Sequence, residues 1–97
     1  MAGFIQIVEY STSRIDEIKD LAEKYRANRG ADGGPVRVSL TEDRDKPGNY
    51  RTIAEFESYE KAMENSNDPA TQEFAAAMSQ LIDGPPTFYN LDVRETM

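Results

Sequence analysis

Asn49-Tyr-Arg-Thr-Ile-Ala-Glu-Phe-Glu-Ser-Tyr-Glu-Lys-Ala-Met63 reads as a strand that runs straight into a helix. Tyr50 to Phe56 is rich in aromatic and branched residues, which suit a pleated, half-buried surface. Ser58 then offers its hydroxyl to the free N–H groups of a first helical turn that begins Tyr59-Glu-Lys-Ala62. The residues before this stretch supply a strand–helix–strand unit. Those after it supply a further helix and a closing strand.

Working outward, Gly3 to Tyr10 is a first strand with apolar residues on both faces. Ser13 followed by Asp16 predicts a capping-box-like helix start. Ile15, Ile18, Leu21, Ala22 and Tyr25 then fall on one helical face, while Asp16, Glu17, Lys19, Asp20, Glu23 and Lys24 take the wet side. Gly30 is expected to stop this helix, with a loop through Pro35. Val36 to Leu40 alternates as a second strand, and the polar run Thr41 to Asn49, with Lys46-Pro-Gly-Asn49, turns the chain back as a hairpin. Asp68 as cap and Pro69 at the first helical position mark a new helix after Tyr59–Glu64. Its apolar stripe is Phe74, Met78, Leu81 and Ile82; Gly84-Pro-Pro86 ends it, and Thr87 to Val93 is the last strand.

Strand, helix, strand, strand, helix, strand is the order of two split βαβ halves. It predicts an α+β, ferredoxin-like βαββαβ fold: a four-stranded antiparallel sheet with its helices on one face. Residues 1–97 form one such domain. The face away from the helices should be polar in a monomer, yet Ile5 and Ile7 oppose Phe4, Val8 and Tyr10. Ile53 opposes Tyr50, Ala54 and Phe56, and Tyr89, Leu91 and Val93 oppose Phe88. Which set meets the helices is open at this point. Either way a second apolar face needs cover, and the expectation is a homodimer packed sheet to sheet.

Composition removes several kinds of chemistry. The chain has 97 residues, no Cys and no His. Structural zinc, Ser–His and Cys–His nucleophile pairs and histidine-ligated haem are therefore not expected. No metal and no cofactor is expected. A net charge of −7 without a basic stripe disfavours nucleic acid and anionic membrane surfaces. No run approaches the ~18 apolar residues of a membrane span. The N-terminus lacks a secretory leader pattern, so the expected location is the cytoplasm. Asp43-Arg-Asp-Lys-Pro47 begins like a calcium loop, but Pro47 replaces a ligand and Ala54 stands where the closing Glu belongs. Gly30-Ala-Asp-Gly-Gly34 has no following Lys-Ser/Thr and precedes a strand, so it is not a phosphate loop.

Across most of its length the chain resembles the dimeric α+β barrel superfamily, in particular the antibiotic-biosynthesis-monooxygenase-like domains. The features that carry the likeness run in order. They are an apolar first strand leading into a helix, the hairpin across Asp43 to Asn49, and Ala54-Glu-Phe-Glu-Ser58 running into Tyr59-Glu-Lys-Ala62. The Asn65-Ser-Asn-Asp-Pro-Ala70 break before a helix with Phe74 completes the set. The resemblance implies a barrel-forming dimer. It also implies cofactor-independent oxygenation of an aromatic, polyketide-like molecule as one activity of the group. The His and Trp of several enzymatic members are absent here.

Two residues are candidates for acid–base work. Tyr10 carries a phenol within an apolar strand, and Glu55 carries a carboxylate beside Ile53 and Phe56. The other reading of Glu55 is an ion pair with Arg37, Arg51 or Arg94. Tyr50, Phe56, Phe74 and Tyr89 can line an aromatic pocket, with Gln6 and Asn90 as its neutral hydrogen-bonding groups. Equally, these aromatics can be core and dimer interface. Three functions remain open: an oxygenase on an aromatic substrate, a non-catalytic small-molecule binder, and a structural or accessory dimer.

Overall fold

The structure is a computed structural model and describes residues 3–29 and 34–97. Its elements are β1 (Phe4–Ser11), α1 (Ile15–Arg29), β2 (Arg37–Glu42), β3 (Asn49–Phe56), α2 (Tyr59–Ser66), α3 (Pro69–Met78) and β4 (Asp83–Asp92). The strands form one antiparallel sheet in the order β2-β3-β1-β4. This is the ferredoxin-like α+β arrangement, with its second helical segment broken in two between α2 and α3. The expected stop at Gly30 and most of the loop after it lie outside the described residues.

Local chemistry sets the boundaries. Ser58 Oγ accepts from the Lys61 N–H (3.2 Å) and starts α2. Asp68 Oδ1 accepts from the Ala70 N–H (2.8 Å) with Pro69 opening α3, as the Asp-Pro pair predicts. Between β2 and β3 the turn is narrower than Thr41 to Asn49. Asp43 N–H donates to the Asn49 carbonyl at 2.9 Å, Asp43 Oδ1 accepts from Asp45 N–H, and Gly48 sits at φ +91 where a side chain would be strained.

Three expectations change. The turn into α1 is held by Thr12 rather than by a Ser13–Asp16 box. The buried Thr12 hydroxyl donates to the Leu81 carbonyl (2.6 Å) and accepts from the Arg14 N–H (2.9 Å), so it pins two segments together. Next, α3 stops at Met78. Leu81 and Ile82 lie in the turn after it, yet still pack on the core. Finally, β4 starts at Asp83 and takes in Gly84-Pro-Pro86. Two prolines are tolerated there because β4 is an edge strand and its register with β1 shifts between Glu9 and Ser11.

Register also decides which face meets the helices. Phe4, Val8, Tyr10, Tyr50, Ala54 and Phe56 pack toward the helices, so alternation places Ile5, Ile7, Glu9, Arg51, Ile53 and Glu55 on the open face. On β4 the open-face positions include Leu91, Tyr89, Thr87 and Asp83, paired across from Ile5, Ile7, Glu9 and Ser11.

The helix-side core has two parts. Phe4, Phe56 and Ala62 are buried together with Ala54 and Met63 around them. Tyr10, Ile18 and Met78 form the other part, with Val8, Ile15, Leu21, Tyr50, Phe74, Leu81 and Ile82 packed against it.

Candidate functional site

The site is assembled around Tyr10. Strand alternation turns its ring toward the helices, where Ile18 from α1 and Met78 from α3 bury it to 4% exposure. Tyr50 lies directly across on β3, and the two rings stack at 6.1 Å between centroids with 24° between planes. The Tyr10 hydroxyl shares a 3.0 Å hydrogen bond with Thr52 Oγ1. Burial raises the Tyr10 pKa above the ordinary 10.0, partly offset by the Thr52 hydrogen bond. The Tyr50 pKa is raised too, by desolvation first and then by the charge of Glu42. Both phenols are therefore neutral hydrogen-bonding groups at physiological pH.

The other candidate residues divide between the two faces. Gln6 and Asn90 are cross-strand neighbours on the helix side, and Gln6 Nε2 donates to Asn90 Oδ1 at 3.1 Å. Phe74, on α3, belongs to the Tyr10 cluster and stacks on Tyr25 at 4.9 Å. Tyr25 in turn donates to Asn65 Oδ1 and shares a hydrogen bond with Thr71, which ties α1 to both α2 and α3. Phe56 sits in the other cluster, at the far end of β1. Glu55 and Tyr89 lie on the open face. Glu55 accepts from Arg37 Nε at 2.6 Å, an ion pair anticipated as its alternative. Within one chain the sheet separates Glu55 from Tyr10.

Thr52, the hydroxyl partner of Tyr10, was not among the sequence candidates. It shares a face with Tyr50 by simple alternation. Choosing it, however, required knowing which face meets the helices.

Two concavities among the described residues lie elsewhere. One of about 60 Å³, room for about two waters, is lined by Glu9, Asp43, Lys46, Asn49, Tyr50 and Arg51. A wider hollow of about 340 Å³ is lined by Glu42, Asp43, Arg44 and Pro47. Both belong to the β2–β3 turn, and Tyr10, Gln6 and Asn90 line neither. Ile18 and Met78 are buried with Tyr10, and Phe74 packs against that cluster. Among the described residues no group of three or more Asp or Glu is placed to hold a metal ion, and no helix is long and apolar enough to cross a membrane.

No family model and no curated protein matches the sequence. Solved structures do match. SnoaB, a cofactor-independent oxygenase from Streptomyces nogalater, superposes with a TM-score of 0.78 at 19% identity, covering 100% of this chain and 98% of its own. A candidate antibiotic biosynthesis monooxygenase from Caulobacter crescentus gives 0.77 at 19% identity over 97% and 92%. A conserved protein from Methanosarcina mazei Go1 gives 0.81 at 10% identity over 95% and 93%. The chain has the fold of the antibiotic-biosynthesis-monooxygenase-like proteins.

Proposed function

We propose that this protein is a homodimeric, cofactor-independent oxygenase of an aromatic, enolisable small molecule, acting in the cytoplasm. The observation that carries the reading is the Tyr10 phenol, buried among apolar side chains and held by Thr52. The fold it shares with a cofactor-independent oxygenase supports it.

In the reaction the substrate is the reductant. A ring CH₂ beside a carbonyl loses a proton to water and leaves an enolate. The enolate carbon passes its electrons to O₂ and bonds to it as a peroxide, which is reprotonated. Loss of water leaves a carbonyl, so CH₂ and O₂ become C=O and H₂O. Neutral Tyr10 suits two parts of this sequence: it donates a hydrogen bond to the oxygen that becomes the enolate, and it supplies a proton to the peroxide. Phe74 and Tyr50 offer flat surfaces to an aromatic ring, and Gln6 and Asn90 offer neutral polar contacts further along β1. Phe56 would act from beneath as packing.

A second reading rests on a specific observation. Ile18 and Met78 are already buried with Tyr10, and Phe74 packs against the same cluster, which favours a ligand-free structural dimer in which the phenol serves the core.

A thermal-shift screen with aromatic hydroxy-ketones, followed by oxygen uptake, separates the readings. Ligand at 100 times its dissociation constant adds about 2.7 kcal/mol. Stabilisation with oxygen uptake supports the oxygenase, and Tyr10→Phe should then lower turnover by about 100-fold. Stabilisation without uptake means a binder. No shift and no uptake across the series favours the structural dimer.

A further inference from the structure

One phenol meets all three helices. The Tyr25 hydroxyl, on α1, donates to Asn65 Oδ1 at 3.1 Å near the end of α2. It also shares a 2.6 Å hydrogen bond with Thr71 Oγ1 in the first turn of α3. The Tyr25 ring stacks on Phe74, one turn further along α3, with 4.9 Å between centroids and 28° between planes. Asn65 and Thr71 stand on opposite sides of the helix break. A single side chain of α1 therefore helps to set the angle at which α3 leaves α2.

The backbone at the break leaves that angle soft. The Asn67 and Asp68 N–H groups donate back into α2, to the carbonyls of Met63 and Asn65. The α3 ladder starts afresh at Asp68, whose carbonyl accepts from Gln72 N–H at 3.1 Å and whose carboxylate accepts from Ala70 N–H. Pro69, between the two ladders, has no N–H to join them. Residues at the end of an element, placed like this, are where hinge rotations are absorbed.

The far end of α3 is fixed by other means. The Thr12 hydroxyl donates to the Leu81 carbonyl at 2.6 Å, and Leu81 and Ile82 pack on the Tyr10 cluster. Between the two ends, Phe74 packs against that cluster and Met78 is buried with Tyr10. The outward residues Gln72, Glu73, Ala75 and Ala76 are exposed and add no packing that would hold the helix down.

We propose that α3 is a lid over Tyr10, hinged at the turn through Leu81 and latched at its start by the Tyr25 hydroxyl. Freed from Tyr25, the start of α3 lifts, draws Phe74 off the cluster and opens a way to the Tyr10 phenol. The latch governs access to Tyr10 rather than the reaction there. It is tested without substrate, so it stands or falls apart from the oxygenase reading.

Tyr25→Phe keeps the stacked ring and removes both hydrogen bonds. With folding confirmed by circular dichroism, hydrogen exchange read by mass spectrometry compares peptides from α3 and from β1. Exchange in the first half of α3 should rise about 10-fold, with β1 changing by less than about twofold. The second readout is the initial rate at which tetranitromethane nitrates Tyr10, relative to the exposed Tyr59 of α2. That ratio should rise by a similar factor. Equal acceleration of exchange in α3 and β1 would make Tyr25 a support of the whole fold and overturns the latch. Faster exchange in α3 without faster nitration of Tyr10 overturns the lid. No change in either readout overturns both. Thr71→Val leaves the Asn65 bond in place and should give the same pattern at about threefold. It carries the test if Tyr25→Phe fails to fold.

Discussion

The two ends of β1 use the same strand, face and side-chain period, yet they build different things. Phe4, Phe56 and Ala62 are each 2% exposed, and Tyr59 meets Phe4 edge-on at 5.3 Å between ring centroids. About 20 Å along the strand, the Tyr10 end is nearly as well buried but contains two phenols and the Thr52 hydroxyl. At the first end, burial of hydrocarbon is the whole effect. At the second, each buried oxygen must keep a hydrogen bond or lose the stability that burial brings. The first end therefore suits anchoring, and the second suits a reactive group held in an apolar setting.

The largest effect that would break this contrast is at Phe56. Phe56→Ala should destabilise the fold by about 3–5 kcal/mol, read as a shift in urea midpoint at unchanged slope. A loss below about 1 kcal/mol would mean that this end is not the anchor. Gly3 belongs to the same end. Its N–H donates to the Phe56 carbonyl at 2.8 Å, and a Cβ built on it would stand 2.5 Å from the Glu57 carbonyl oxygen. Gly3→Ala should therefore cost about 1–3 kcal/mol by forcing strand β1 away from the exit of β3. Full stability of that variant would show that the approach is loose.

Much of this arrangement was legible before any coordinates. Period-two and period-3.6 patterns, together with the Ser58 and Asp68-Pro69 caps, place the elements because these signals are local. The face that meets the helices was not legible, because Ile5 and Ile7 are as apolar as Phe4 and Val8. Only pairing with β3 and contact with Ile18 and Ala62 decide it. The same gap hid Thr52 and left Glu55 and Tyr89 grouped with Tyr10. Gly84-Pro-Pro86 misled for another reason. Local rules read it as a breaker, whereas an edge strand with a register shift needs no N–H from those prolines.

At the Tyr10 end the effects are smaller and carry a pH signature. Tyr10→Phe removes the Thr52 hydrogen bond and should cost about 1 kcal/mol at pH 7. The folded phenol has its pKa raised, mainly by burial. It holds its proton at a pH where the unfolded phenol has lost it, so deprotonation favours the unfolded chain. Its contribution is complete below the ordinary 10.0 and is lost as pH rises through the folded pKa. Chemical denaturation from pH 8 to 11 should show the parent protein losing stability faster than Tyr10→Phe. Parallel curves would mean that Tyr10 is less shielded than its packing implies.

The smallest effect lies across the sheet. Glu55→Gln removes the charge facing Arg37, whose side chain is 73% exposed and keeps its hydration. The change in stability should lie within about 1 kcal/mol. Turnover of any substrate processed at Tyr10 should also hold, since the sheet stands between the two side chains. Unchanged stability with a large loss of turnover would reverse that logic. It would put the carboxylate in the chemistry from the open face, where a second chain's sheet would form the other wall of the site, and the helix-side Tyr10 would revert to core.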